Sequence, residues 1–518
     1  MRHVQPTELM DPKQEVNALL VYPTFPQNTY WSFSTALRFA GKSSAFPPLG
    51  LLTIASMLPS HWKPRLVDMN VRPLRDRDIA KADIVLASAM CVQKPSLEEV
   101  VDRVHAQGKR IVIGGTHITT TLQRPTQHKG DTFILGEAEQ TFPRYLADLA
   151  AGSPLAIYDG QEDKPDLTKT PLPRWDLISM RPYGSMNLQY SRGCPFDCEF
   201  CDIIEIYGRR PRVKDDDQFL AEMDILRATG YRGSLFVVDD NLIGNLPRVK
   251  KLVPKIRRWM EEHGFPFSLY TEASVNLAQQ SELLEEMVAA GFRKVFFGIE
   301  TPEPKSLREA QKEQNLRGSL LDAVHKVQRA GMQVMGGFIV GFDSDPEDID
   351  ERQIDFITDS AIPLSMVGIL SALPGTQLYR RLEQEGRLLE TASGNNTEGQ
   401  INFTPRMDPR ALREGFHRIT TTIYGARTYY ERVSNFLARY NPKRPEPFHL
   451  QDLLPSIRAV ASSMVHQGVL DRDRWEYWKF MGNVLTKYRK KANEAITLAI
   501  MGHHLRKVAY TNAAAYRA

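Results

Sequence analysis

Short apolar runs alternate with amphipathic stretches along the first ~150 residues. The continuous apolar run at 18–22 predicts a buried strand, 49–58 has helical periodicity, and 65–69 predicts a second strand. Two more strands are expected at 83–88 and 110–113 with a helix at 97–106 between them, then a fifth at 133–135 before a helix over 138–150. Alternation of this kind reads as an α/β, doubly wound parallel sheet. Ligands of such sheets bind beyond the carboxyl ends of the strands. That edge holds Asp68, Asn70, Ser88 and the turn Gly114-Gly115-Thr116-His117, whose paired glycines allow close backbone approach. The Pro-, Asp- and Lys-rich stretch 154–173 has no periodicity and reads as a linker.

A second alternating series begins near residue 185. Strands are expected at 186–190, 234–238, 267–271, 294–299, 333–339 and 365–370, with helical patterns at 219–229, 246–262 and 317–330 among them. Six strand–helix units in about 200 residues suggest a partial barrel, with functional groups at the carboxyl ends of its strands. The small polar stretch 391–399 reads as a loop. Helical periodicity then covers 412–436, 450–467 and 472–508, with Trp475, Trp478 and Phe480 expected as core. The implied division is 1–153, a linker over 154–182, 183–391, and a helical region over 400–518.

Composition narrows the class. A chain of 518 residues has room for two to four domains, and 42% hydrophobic with 25% charged residues is ordinary for a globular protein. With 66 basic and 62 acidic residues the net charge is +4, too balanced to argue for nucleic acid. The first 16 residues lack the apolar core of a signal peptide, and no run approaches the ~18 apolar residues of a transmembrane segment. A reducing, cytoplasmic setting is expected.

Three of the four cysteines fall within eight residues: Cys194, Cys198 and Cys201, spaced C-x3-C-x2-C. Iron–sulfur clusters are usually held by four thiolates, so three leave one iron open to a small molecule. Structural zinc needs four ligands in compact pairs. Here Cys91 lies about a hundred residues upstream and the next histidine is His263. Four cysteines in a chain of this length do not make a disulfide framework.

The cysteine loop followed by a partial barrel resembles the radical S-adenosylmethionine (SAM) superfamily. The preceding sheet, flavodoxin-like in pattern, resembles a cobalamin-binding domain. The domain order, with Cys-Asp-Ile-Ile-Glu-Ile-Tyr-Gly-Arg-Arg-Pro-Arg at 201–212 and the helical tail, is similar to the cobalamin-dependent branch, especially its hopanoid and bacteriochlorophyll methylases. The resemblance implies that Cys194, Cys198 and Cys201 hold a [4Fe-4S] cluster whose open iron chelates SAM. One electron then yields a deoxyadenosyl radical that abstracts a substrate hydrogen. A second SAM would methylate cobalamin, and the substrate radical would take that methyl group.

Site roles follow from the same resemblance. Glu300 would contact the SAM amino group and Ser274 its ribose or carboxylate. Gly336, Gly337 and the Gly341 turn would let backbone approach adenine. Asp239, Asp240 and Asn241 face the same mouth, and one of Arg209, Arg210, Arg212 and Lys214 would pair with a carboxylate. Many cobalamin domains carry Asp-x-His-x-x-Gly, but residues 68–73 read Asp-Met-Asn-Val-Arg-Pro. Cobalamin would therefore bind without a histidine ligand, and His117 reads as a surface or loop residue. The expected partners are a small-molecule substrate and an external one-electron donor such as flavodoxin or ferredoxin. Two alternatives stay open: non-methyl radical chemistry on the same architecture, and a non-enzymatic cluster sensor.

Overall fold

The computed structural model describes residues 6–30, 32–121, 129–444 and 453–517. The structure holds two six-stranded parallel sheets and a two-stranded ribbon, with helices making up most of the remainder.

The first sheet contains β1 (Val16–Tyr22), β2 (Trp62–Asp68), β3 (Ile84–Ser88), β4 (Ile111–Gly114), β5 (Thr132–Ile134) and β6 (Ile157–Tyr158), in the order β2-β1-β3-β4-β5-β6. That is the flavodoxin-like order with one strand added. Alternate residues of β1 feed two apolar cores. Ala18 and Leu20 pack on one face, Leu19 and Val21 on the other, so the run looks continuous in sequence. The stretch 154–182 is not only a linker. Ile157 and Tyr158 pair with Phe133 and Ile134, and the Tyr158 hydroxyl donates to Asp148 at 2.9 Å. Two residues are too few for periodicity to reveal a strand.

The second sheet begins with β7 (Met186–Leu188). The two-residue antiparallel ribbon of β8 (Ser191–Arg192) and β9 (Arg212–Val213) follows and brackets the cysteine loop. Then come β10 (Gly233–Val237), β11 (Phe267–Ala273), β12 (Phe292–Glu300), β13 (Gln333–Val340) and β14 (Leu364–Ile369), giving the order β14-β13-β12-β11-β10-β7. All neighbours pair in parallel, as a six-unit partial barrel requires.

The C-terminal region is helical: Pro409–Ile423, Ala426–Arg439, Leu453–Gly468, Arg474–Lys487 and Ala492–Arg517. The expected helix over 412–436 is two, because Gly425 turns extended between them. The expected helix over 472–508 is interrupted at 489–491 by a short 3-10 turn, and residues 450–452 lie outside the described residues. Phe480 is core, but Trp475 and Trp478 are not, being 74% and 41% exposed. The helix turns Tyr477, Phe480, Met481 and Val484 inward instead. Among the described residues no helix is long and apolar enough to cross a membrane.

Candidate active site

The cysteine loop is anchored from beneath by one carboxylate. Asp239, at the end of β10, accepts from the Tyr190 and Ser191 amides, both at 2.7 Å, and from the Ser191 hydroxyl at 2.6 Å. Burial pushes its carboxyl up to about 6. The loop's exit is held by the Cys194 amide donating to Gly208 O at 3.2 Å. Gly193 has φ of 95°, and a Cβ there would lie 2.7 Å from Gly208 O, so only glycine fits.

Cys194, Cys198 and Cys201 are free thiols, and two of them receive side-chain amide donors. Asn241 Nδ2 lies 3.6 Å from Cys194 Sγ, and Gln314 Nε2 lies 3.6 Å from Cys198 Sγ. Burial raises the pKa of the Cys194 and Cys201 thiols. A thiol set with Cys198 buried, Cys194 and Cys201 half-buried, and N–H donors aimed at two of the sulfurs fits an iron–sulfur cluster, whose sulfurs take such bonds. Among the described residues no three His, Cys, Asp or Glu side chains converge on a single-ion position.

Two of the expected SAM contacts converge on this loop. Ser274 donates from its amide and its hydroxyl to Asn241 Oδ1, at 3.1 and 3.2 Å, placing it one residue from Cys194. Glu300 ends β12 with φ of 63°, a left-handed conformation few non-glycine residues adopt, and pairs with buried Lys312. The Lys312 ammonium sits 5.7 Å from the Phe200 ring centre, inside the loop, and the charge of Glu300 helps keep it protonated despite burial. Lys312 and Gln314 lie beyond the strand in a segment with no recognisable motif, which is why sequence reasoning missed them.

The glycines are explained by the fold itself. A Cβ on Gly336 would meet the Phe338 ring at 2.7 Å, and one on Gly337 the Phe296 ring at 2.9 Å. The amides of Gly341 and Phe342 donate to Asp345, at 2.8 and 3.1 Å. The basic cluster is largely spent as well. Arg209 pairs with Asp197 at 3.0 Å, Arg212 with Glu137 at 2.6 Å, and Lys214 with Glu222. Arg210 is exposed.

Inside the barrel, Phe236 and Tyr270 stack with ring centres 4.7 Å apart, and Phe46, from the segment after β1, packs on Phe236 at 5.4 Å. Glu272 shares the Tyr270 face of β11. Burial, with Asp240 and Asp239 nearby, pushes its carboxyl up to about 8. Asp240 rises to about 7 through burial and then Asp239, and its Oδ2 is buried without a hydrogen bond.

A cavity opens between this mouth and the first sheet. Its walls include Gly50 and Thr53 of helix Leu49–Ala55 and Met57 just beyond it, Ser88 at the end of β3, Gly114 and Gly115 at the end of β4, and Gln189 and Arg192 from the barrel side. Apolar side chains on one wall and hydroxyls and backbone on the other suit a large amphipathic cofactor such as cobalamin. Gly50 would meet nothing within 4 Å if it carried a Cβ, whereas at Gly115 a Cβ would lie 2.6 Å from Ser88 Oγ, so that glycine serves the turn.

Asp68 and Asn70 do not line this cavity. Asp68 accepts from Asn70 Nδ2 at 2.8 Å and from the Tyr183 hydroxyl at 3.0 Å, and Asn70 accepts from the Phe25 amide at 2.8 Å. The chain itself fills the ends of β1 and β2, so the opening falls at β3 to β5. His117 is a buried helical residue rather than a surface one. Across the cavity, Arg192 donates to Glu137 at 2.7 Å and to Glu139 at 2.8 Å, tying the cysteine loop to the first sheet.

Comparison with known proteins gives the class first: residues 188–353 match the radical SAM superfamily, 43–146 the B12 binding domain, and 376–517 a domain of unknown function, DUF4070. The chain belongs to the cobalamin-dependent radical SAM enzymes. It is 40% identical over 491 residues to an uncharacterized methyltransferase of Synechocystis, covering 94% of this chain and 91% of that one. It is 31% identical over 496 residues to the hopanoid C-2 methylase of Rhodopseudomonas palustris, covering 94% and 92%. The fold matches OxsB, a cobalamin-dependent SAM radical enzyme solved with aqua-cobalamin and SAM bound, at TM-score 0.64 and 15% identity over 97% of this chain and 80% of that one. As a family member this is a methylase that uses a [4Fe-4S] cluster, SAM and cobalamin.

Proposed function

We propose that the enzyme methylates an unactivated carbon of an apolar small molecule held between the barrel mouth and the first sheet. The observation that carries this reading is the aromatic cluster at that mouth, Phe236 stacked on Tyr270 with Phe46 packed against it. The similarity to a hopanoid C-2 methylase supports the methylation reading. Bound here, the cluster would supply the electron that splits SAM, and cobalamin would carry the methyl group.

The chain's own residues would do the positioning. Cys194, Cys198 and Cys201 would ligate the cluster, with Asn241 and Gln314 donating to sulfur. Ser274 would hold SAM beside Cys194, and Glu300, paired with Lys312, would meet the SAM ammonium. The aromatic walls would exclude water from the reacting centre. We take the electron donor to be a reduced flavodoxin or ferredoxin and the setting to be the cytoplasm, where free thiols persist. Anaerobic assay of reconstituted enzyme tests the reading. Deoxyadenosine, S-adenosylhomocysteine and a methylated product are expected together with an apolar acceptor. Turnover only on polar acceptors would overturn the apolar assignment.

A further inference from the structure

The helices Leu453–Gly468 and Arg474–Lys487 pack together as a hairpin on the C-terminal region. The first has its polarity reversed. Its buried side carries Ser463 and Gln467, where Gln467 Nε2 donates to Ser463 Oγ at 2.8 Å and the Tyr430 hydroxyl donates to Gln467 Oε1 at 2.9 Å. Its exposed side carries Leu454, Ile457, Met464 and Val465, which helical spacing sets on one stripe, Leu454 being 77% exposed. The second helix continues the pattern with Trp475, Trp478 and Leu485, at i, i+3 and i+10. The connecting turn exposes Val469 and Leu470, the latter at 69%. Nine large apolar side chains thus face outward on one hairpin, far more than the scattered exposures of an ordinary surface.

The charge around the stripes has one dominant sign. Residues 453–491 hold eight basic and three acidic side chains. Asp471 and Asp473 are both engaged by Arg506, while Arg472, Arg474, Lys487, Arg489 and Lys490 make no ion pair among the described residues. We propose that this hairpin is a docking surface for an anionic lipid bilayer, seated with its apolar stripes in the headgroup–acyl boundary. Amphipathic helices with large apolar residues and a cationic rim bind bilayers in this way, and tryptophan favours that boundary. Self-association fits less well, because a two-fold interface would set two like-charged hairpins against each other.

One segment touches both the hairpin and the reaction mouth. Helix Ser34–Phe39 packs beneath the hairpin, with the Phe39 ring 5.0 Å from His466. The same segment after β1 carries Phe46 into the barrel. The inference stands on the hairpin alone and does not depend on which substrate is methylated.

Flotation of the full, cluster-containing protein with vesicles tests it. Vesicles of mixed phosphatidylglycerol and phosphatidylcholine are expected to carry the protein, while phosphatidylcholine alone should bind it at least tenfold more weakly. Trp475→Ser with Trp478→Ser should abolish binding, and Arg489→Gln with Lys490→Gln should weaken it by roughly tenfold or more, with salt acting in the same direction. Circular dichroism checks that these surface variants fold. Absence of vesicle binding, or equal binding by wild type and variants, would overturn the proposal. So would a dimer in sedimentation velocity that Leu454→Ser with Ile457→Ser dissolves while vesicles bind nothing.

Discussion

Asn241 stands between Ser274 and Cys194. Its Oδ1 accepts from the Ser274 amide at 3.1 Å while its Nδ2 points to Cys194 Sγ at 3.6 Å. One side chain thus fixes the end of β11 against the cysteine loop, so the thiol and the expected SAM contact move together. A donor to sulfur favours the reduced state of a cluster, because it offsets added negative charge. Asn241→Ala should lower the reduction potential and slow SAM cleavage by about 10- to 100-fold. Redox titration followed by electron paramagnetic resonance reads the first effect, and deoxyadenosine formation the second.

The cysteines themselves should be separable. Cys194→Ala, Cys198→Ala or Cys201→Ala should each drop bound iron from about four per chain to near background. Cys91→Ala should keep the full complement, since Cys91 opens a short turn after β3 rather than the loop. Iron analysis after anaerobic reconstitution decides between these outcomes.

The Glu300–Lys312 pair is nearly closed to solvent, at 9% and 11% side-chain exposure. Removing one partner strands a buried charge, which costs about 3–5 kcal/mol. Lys312→Met should destabilise by that order, and adding Glu300→Gln should recover much of the loss. Denaturant unfolding of the two variants checks the difference.

Glu272 gives the pH dependence its sign. Its folded pKa is raised from 4.5 to about 8, so its favourable contribution is fully present below about 4.5 and lost as pH rises through about 8. Over that window the native state binds the extra proton, and stability falls with increasing pH. Glu272→Gln should flatten the slope between about pH 5 and 8 in unfolding curves.

Most of this architecture was legible in the sequence because its signals are local. Apolar runs of five or more residues announced the long strands, and the cysteine spacing announced the loop. What sequence hid was relational. Lys312 and Gln314 reach the cysteines from a segment with no periodicity, and Asp68 and Asn70 lost their expected edge to Pro23, Phe25 and Tyr183. The tryptophans of the hairpin misled because aromatic spacing reports which face a residue shares, not whether anything covers that face.

The central claim is that one mouth serves both cofactors, with cobalamin delivering the methyl group. The most direct measurement compares reconstituted enzyme with and without cobalamin, given reductant, methyl-deuterated SAM and an acceptor. Labelled product and S-adenosylhomocysteine are expected only when cobalamin is present, with deoxyadenosine formed in both cases. Equal labelled product without cobalamin would contradict it.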